Sequence, residues 1–456
     1  MAPKLSLPSD SEIRQILIDR IDGQNQSVGI AVGVIGPDER RVTAHGHLEK
    51  GDSRPLNGDT IFEIGSVTKV FTALLLADMV LRNEVALDDP VAKYLPATFF
   101  PAKMPERNGR SITLVDLATH TSGLPRLPAN LSFQNRANPY ADYSVGRLYQ
   151  FLSTHQLGRD VGSQYEYSNL GGGLLGHVLG LRAGMEYGLL VRSRICEPLG
   201  MDSTQIMLTP EMKAREAVGH NQTMDTVPNW DVPTLAGAGA LRSTANDLLT
   251  FLAANLGYTS SPLTPAMAAM LEQRRPTGQP SLEIALGWHI LTAKEIVWHN
   301  GGTGGYRSFV GFNPKTGVGV VALSNASTTI GVDDIAMHLL DPSVPLWKPA
   351  KEHEEVAVDP NVLDGYCGRY ELNPNAILTV TRDANRLFVQ AVGTPKIEIF
   401  PQTDRDYFLK LMDAHVTFVT DANGRATELI LRQSGRDDRH AKRIEEEPGS
   451  VRFYGK

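Results

Sequence analysis

One stretch constrains this chain more than any other: Phe62 to Leu81, reading Phe-Glu-Ile-Gly-Ser-Val-Thr-Lys and then twelve mostly apolar residues. The apolar positions recur at helical spacing, and Ser66 and Lys69 stand three apart at the front. On a helix that offset puts both side chains on one face, a turn from each other. A serine hydroxyl is a poor nucleophile until a base takes its proton, and an unprotonated lysine can take it. Ser66 also falls at the expected helix N-terminus, where unpaired N–H groups and the helix dipole favour developing negative charge. The same residues suit an amphipathic core helix whose exposed start carries Thr68 and Lys69. Average composition gives roughly one or two chance Ser-x-x-Lys matches in a chain this long. Ser66–Lys69 is the one occurrence here, so the rest of the chain must decide between chemistry and packing.

A chain of 456 residues with 41% hydrophobic composition has room for two or three domains and a large core. Its net charge of −7, with both signs interspersed, excludes a general attraction for nucleic acid or an anionic membrane. Cys196 and Cys367 are too few for a disulfide framework or a zinc ribbon. They read as free core thiols, with a single bridge left open. No metal-ligand or cofactor pattern emerges, so no cofactor is expected. The first ten residues hold no apolar signal core, which predicts a cytoplasmic protein as written, or a periplasmic or secreted one if a signal has been removed. Val70–Leu81 is too short for a membrane span and carries Asp78. A homo-oligomer stays open.

Taken in order, Ser9 or Asp10 caps a first helix with Ile13, Ile16, Leu17 and Ile21 on one face. Ser27–Ile35 and Arg40–His45 read as strands joined by a turn at Gly36-Pro37-Asp38. The Ser66 helix is expected to run to Leu87-Asp-Asp-Pro, followed by a Pro-rich connection through Pro105. Ile112–Pro125 reads as a short helix ended by Gly123 and Pro125, with His120 a helix-end histidine bonded to backbone. Ala129–Gly162, polar and aromatic, suits loops framing a cleft. Gly171, Gly173 and Gly176 spell G-x-G-x-x-G, but no suitable strand precedes them and no acidic residue follows at ribose-binding distance. They read as close-packing positions on a helix. A Gly-rich turn from Ala236 leads into a helix capped by Ser243 or Thr244. Strands follow at Ile296–His299, Tyr306–Phe312 and Val318–Ser324, then a helix over 331–340. Composition then shifts through Pro342, Pro345, Pro349 and the charged Lys351–Glu355. Eight short strand patterns come after, near Tyr366–Glu371, Ile377–Thr381, Leu387–Val392, Ile397–Phe400, Tyr407–Leu411, Val416–Val419, Leu429–Arg432 and Ala441–Ile444. Their even spacing predicts a small antiparallel barrel. The expected domains are therefore 1–341, a linker over 342–360, and 361–456.

Two further segments carry residue types suited to acyl transfer. Tyr167-Ser168-Asn169 precedes a glycine-rich helix. A tyrosine that shares a proton with Lys69 can relay it to a leaving group, and Asn169 offers a donor and an acceptor to a substrate amide. His299-Asn300-Gly301-Gly302 ends a strand whose edge could pair with extended substrate, where the Gly302 N–H could join the Ser66 N–H as an oxyanion hole. Singly, each also reads as structure: a core tyrosine, a strand-end histidine, a turn of glycines.

In this order and spacing, Ser66/Lys69, Tyr167/Asn169 and His299/Gly301 resemble the three motifs of the serine β-lactamase and penicillin-binding protein superfamily. The likeness is to its class C β-lactamase, D,D-carboxypeptidase and D-aminopeptidase branch. It extends to Leu117–Pro125, Pro198–Thr204 and Gly301–Asn325, and covers roughly residues 10–340. It implies an antiparallel sheet flanked by helices, an all-helical subdomain, and a serine hydrolase acting on an amide, peptide or ester. The implied roles are catalysis by Ser66, Lys69 and Tyr167, substrate binding by Asn169, His299 and Gly301, and an oxyanion hole at Ser66 and Gly302. The implied substrate is a small molecule or short peptide, foremost a D-amino-acid peptide or amide, with esterase or weak β-lactamase activity as alternatives. A non-hydrolysing penicillin sensor or a scaffold is the reading from another class. Lys315-Thr316-Gly317 spells the family's third motif literally but follows the glycine-rich segment, so the role is carried to His299. A histidine there is charged only near or below its ordinary pKa of about 6.5, unlike the lysine of class C enzymes. The C-terminal strands, from Leu363-Asp-Gly-Tyr-Cys-Gly-Arg-Tyr370, resemble a lipocalin-like barrel.

Overall fold

The computed structural model describes residues 7–444 except 97–103, 133, 350–354, 374–375, 392–395, 411–413 and 434–437. The middle of the Pro-rich connection before Pro105, the charged run at 351–354, and the strand ends expected at Val392 and Leu411 lie outside the described residues. The chain divides into two compact units, Met1–Val344 and Pro345–Lys456.

In the first unit Ser9 caps helix α1 (Asp10–Ile18) through a capping box with Glu12, and Ile13 and Leu17 are buried. Strands β1 (Gly29–Ile35) and β2 (Arg40–Gly46) form the expected hairpin. A short strand β3 (Ile61–Glu63) precedes helix α2 (Thr68–Leu81). Twelve of the fourteen residues of α2 are buried, so it is the central helix of the unit and not an amphipathic surface helix. It ends at Leu81, well before Leu87, because Asn83 takes a left-handed conformation (φ 57°) that turns the chain. Around α2 gather α3 (Leu114–Ala118), α5 (Asn169–Ala183) and, from further along, a helix over Thr264–Met270, while α4 (Val145–Thr154) joins the same hydrophobic core. α4 lies within the segment expected to be loops. α3 stops before His120, whose φ of 56° breaks the helix earlier than Gly123.

Further elements of the unit include β4 (Arg242–Thr244), α6 (Ala245–Asn255), β5 (Arg275–Pro276), β6 (Leu282–Ile284), β7 (His289–Leu291), β8 (Ile296–Gly302), β9 (Arg307–Asn313), β10 (Val318–Ser324) and α7 (Asp333–Leu340). Thr244 caps α6 through its side chain. The main sheet is antiparallel with eight strands in the order β2-β1-β10-β9-β8-β7-β6-β5. Every residue of β1 and β10 is buried, as strands covered on both faces must be. β7 pairs with β8 only over Ile296–Trp298, so His299–Gly302 runs past β7 with that edge unpaired while its other edge stays paired with β9.

The second unit begins with α8 (Pro360–Tyr366), which takes Tyr366 out of the strand expected there. Eight strands follow: β11 (Gly368–Asn373), β12 (Ala376–Asp383), β13 (Arg386–Ala391), β14 (Ile397–Pro401), β15 (Asp406–Phe408), β16 (Ala414–Thr420), β17 (Ala426–Gln433) and β18 (Arg439–Ile444). Each pairs with the next, and β18 returns to β11, closing an up-and-down antiparallel barrel. Leu378, Val380, Leu387, Val416, Phe418 and Leu429 are among the side chains of its buried core. Cys196 and Cys367 are free thiols. Among the described residues no helix is long and apolar enough to cross a membrane.

Candidate active site

Ser66 sits on a tight 3₁₀ turn, Gly65–Val67, between β3 and α2, and not on the α-helix itself. Gly65 makes the turn possible. Its φ is 49°, and a Cβ there would lie 2.7 Å from the Gly302 nitrogen, so only glycine both adopts the conformation and admits the end of β8. The Ser308 hydroxyl donates to the Ile64 carbonyl (2.7 Å) and ties the turn to β9. Ser66 is half-buried and lines a small cleft with Gly65, Tyr140, Asn169, Trp230, Val232, Ala238, Gly239, Gly302 and Thr303.

Lys69 Nζ is 2.9 Å from Ser66 Oγ, 2.9 Å from Asn169 Oδ1 and 2.7 Å from the Ala238 carbonyl. Asn169 Oδ1 and the carbonyl can only accept. A neutral amine has two N–H groups and one lone pair, so those two contacts take both donors and leave the lone pair toward the Ser66 hydroxyl. Burial holds the ammonium form of Lys69 far below the usual lysine range, and the Arg126 charge adds to the effect. Gly172 of α5 packs on the aliphatic stem of Lys69, where a Cβ would fall 3.1 Å from Cε. Asn169, the first residue of α5, also donates from Nδ2 to the Tyr140 hydroxyl (3.2 Å), so its amide is engaged in the protein.

Tyr167 lies beside this group, with Lys69 Nζ 4.9 Å from its ring centre and Ser66 as a hydrogen-bond partner of its hydroxyl. Burial pushes the phenol well above its ordinary pKa, and the Ser66 hydrogen bond and the Arg126 charge only partly offset this. Burial thus shifts Lys69 toward the free amine and holds Tyr167 as a phenol.

His299 is fully buried and does not line the cleft. Its Nδ1–H donates to the Asn300 carbonyl (2.6 Å), and its ring centre is 6.1 Å from that of Tyr167. Burial, then the neighbouring His289 and Lys69, keep it neutral. The structure thus puts this side chain behind Tyr167, and the permanent charge that a lysine would supply is missing. Gly301 is likewise buried, and a Cβ there would meet the Ile64 carbonyl oxygen and lie 3.0 Å from the Ser66 nitrogen. Gly302 is the member of that strand end that reaches the cleft. Lys315 is exposed in the β9–β10 turn, whose geometry Asn313 sets by accepting from the Lys315 and Thr316 N–H groups.

Two histidines outside the three short motifs complete the surroundings. His120 accepts from the Ser168 N–H at Nδ1 (3.2 Å), and its ring centre lies 4.6 Å from that of Tyr167. His289, on β7, shares a hydrogen bond with the Tyr165 hydroxyl (3.0 Å) and lies 5.2 Å from His299, ring to ring. His120 Nε2, His289 Nδ1 and His299 Nε2 are buried without hydrogen-bond partners.

Residues 15–340 match the β-lactamase family over well more than half of the chain. The chain belongs to that family. It is a serine hydrolase of the β-lactamase and D,D-peptidase type. Residues 352–445 match a domain of unknown function, DUF3471. The D-alanyl-D-alanine-carboxypeptidase/endopeptidase AmpH of Escherichia coli K12 is 28% identical over 332 residues, 70% of this chain and 84% of that protein. Penicillin-binding protein 4* of Bacillus subtilis is 25% identical over 450 residues, 93% of this chain and 97% of its own length. Among solved structures, a β-lactamase/D-alanine carboxypeptidase from Yersinia pestis, complexed with citrate, superposes with a TM-score of 0.61 at 25% identity. It covers 71% of this chain and 95% of that one. A class C β-lactamase from Rhodobacter sphaeroides gives 0.62 at 26% identity, covering 72% and 98%.

Proposed function

We propose that this family member cleaves amide or peptide bonds of D-amino-acid substrates through an acyl-enzyme on Ser66. The observation that carries the proposal is the Lys69 contact set, which leaves one lone pair aimed at a serine 2.9 Å away. Lys69 takes the hydroxyl proton as Ser66 Oγ bonds to the carbonyl carbon, and the oxyanion forms against the Ser66 and Gly302 N–H groups. Tyr167, a phenol at neutral pH, passes a proton to the departing nitrogen as the C–N bond breaks, and Lys69 returns one to Tyr167. Water then adds to the acyl-enzyme as the Lys69–Tyr167 pair accepts its proton, and Ser66 leaves with its hydroxyl restored. Because Tyr167 is held protonated, Lys69 is the base of the first step. AmpH, whose name records D-alanyl-D-alanine cleavage, supports the substrate class. Ester hydrolysis is the second reading, favoured by a neutral His299 that offers no fixed charge to a substrate carboxylate. We assign catalysis to residues 1–341 and a structural role to the barrel over 361–456.

The test is a hydrolysis panel of p-nitrophenyl esters, nitrocefin, and D- and L-alanine p-nitroanilides. Turnover of the D-anilide over the L-anilide, lost to background in Ser66→Ala, is the expected result. Turnover retained by Ser66→Ala would sink the mechanism, and a stable acyl label without turnover would make the protein a sensor.

A further inference from the structure

The surroundings of Tyr167 are short of negative charge. Lys69 Nζ lies 4.9 Å and the Arg126 Cζ 5.1 Å from the centre of its ring. His120 and His299 lie within 4.6 and 6.1 Å of it, ring to ring, and His289 within 6.4 Å. The charges that weigh on Lys69, His120, His289 and His299 are one another's and that of Arg126; no carboxylate figures among them. The carboxylate next in sequence, Glu166, is paired with Arg159. Glu63, on the strand that leads into Ser66, is engaged by the Trp230 N–H (2.9 Å) and by Arg242 (3.2 Å).

Within this setting Arg126 is unlike the other cations. Lys69 is buried and the histidines are neutral, whereas Arg126 is exposed and always charged. Its backbone is fixed: its carbonyl accepts from the Asn169 and Leu170 N–H groups (3.0 and 3.2 Å), and the Ser168 hydroxyl donates to the preceding carbonyl of Pro125 (2.7 Å). The root of the side chain is therefore stitched to the start of α5, two residues from Tyr167. The contact described for its guanidinium is the face of Tyr167, which leaves its donor fork for a ligand.

We infer that Arg126 is a specificity residue that binds a carboxylate on the leaving-group side of the scissile bond. The side follows from Tyr167, which in the mechanism proposed above hands the proton to the departing group. An anion on Arg126 must belong to that same half of the substrate. The inference rests on that mechanism and deepens it: the departing unit is an amino acid with a free carboxylate, so the enzyme trims chain ends. The anchor is an arginine beside the second motif, and not the histidine of the third.

The test compares N-acetyl-D-alanyl-D-alanine with its C-terminal amide in wild type, Arg126→Lys and Arg126→Gln. Wild type is expected to favour the free acid by about tenfold or more in kcat/KM, carried by KM, as a charge-assisted bidentate contact supplies. Arg126→Gln should bring the acid-to-amide ratio to about one, and Arg126→Lys should keep part of it. Equal use of acid and amide by wild type, or a preference that survives in Arg126→Gln, overturns the inference. If wild type cleaves esters and neither peptide, the D-peptide reading fails by itself. Arg126 is then judged on one acyl group carried by 4-nitrophenol or by 3-carboxy-4-nitrophenol, with the same ratios deciding.

Discussion

The surroundings of Tyr167 and the interior of the C-terminal barrel both bury aromatic side chains, and they differ in how far the polar ends are paired: among the described residues of the barrel core the Tyr407 hydroxyl alone lacks a partner. In the barrel, Tyr370 donates to the Tyr366 carbonyl (2.7 Å), and Tyr366 donates to that of Asp404 (2.9 Å) while its ring stacks on Phe418 at 4.4 Å. Beside Tyr167, three imidazoles each keep a ring nitrogen unpaired. A buried polar atom without a partner costs about 1–3 kcal/mol, so such atoms are rare unless something else selects for them. The barrel has aromatic chemistry arranged for stability. The cleft carries groups whose partners arrive only with a substrate or during a proton transfer. Three such groups gathered around one side chain are therefore a better pointer to the site than any one of them alone.

The hardest break of that contrast is removal of the base. Lys69→Ala should lower kcat by about 10²–10⁴-fold, the span of general base catalysis. Lys69→Arg should not rescue it, because a guanidinium stays protonated and has no lone pair to offer. Single-turnover acylation by a p-nitrophenyl ester reads this directly; a loss under about threefold would show that Tyr167 suffices as base. A smaller effect separates the two readings of the third motif. His299→Ala should lower kcat/KM by about tenfold by loosening the layer behind Tyr167, since it leaves a cavity where a buried ring stood. Lys315→Ala, in an exposed turn, should leave it near wild type. The reverse outcome would move the motif to Lys315–Gly317.

These effects bear on what could be read from the residues. Alternation with turn chemistry marked all eight barrel strands and the β1–β2 and β9–β10 hairpins, because local pattern decides such elements. The end of α2 could not be read, since Asn83 in a left-handed turn looks like any exposed asparagine. α4 was hidden by its polar, aromatic composition, and α8 by a pattern that continues as strand through Tyr366. Ser66, Lys69, Tyr167 and His299 stood out because each sits in a short spaced motif. His120 and His289 had no such company. They meet Tyr167 only because β7 lies next to β8 and the His120 turn packs on the start of α5. Nor did any pattern show that His299 and Gly301 are buried, a fact set by the alternation of β8 against the Ser66 turn.

The unpaired imidazoles also give the first unit a pH signature. Burial lowers His289 to about 4 from an ordinary 6.5, with the Lys69 charge adding. Between those values the unfolded chain takes up a proton that the folded protein refuses. The stability from a neutral His289 is thus complete above about pH 6.5 and is lost as the pH falls toward 4. Glu63 and Asp333, raised by burial to about 7 and about 6, act with the opposite sign, so a total pH profile would blur the effect. The difference between wild type and His289→Gln isolates it. Relative to the variant, wild type should lose unfolding free energy steadily from pH 6.5 to 4 in urea titrations. Parallel profiles would mean that the imidazole is not held neutral.

The mildest change probes the barrel side of the contrast. Tyr370 is fully buried, and its hydroxyl has one described task, the hydrogen bond to the Tyr366 carbonyl at the end of α8. Tyr370→Phe keeps the ring and its packing and removes only that bond. The acceptor is then left unpaired in the interior, so the expected cost is about 1 kcal/mol, or somewhat more where water cannot reach it. The effect should appear as a lower urea midpoint for the barrel with an unchanged slope, because the surface exposed on unfolding stays the same. Ester hydrolysis at saturating substrate should be unaltered, since the Tyr370 hydroxyl serves only a carbonyl of its own unit. A fall in kcat would break the division between a region built for stability and one built for chemistry. It would assign the barrel a part in turnover that its packing does not suggest.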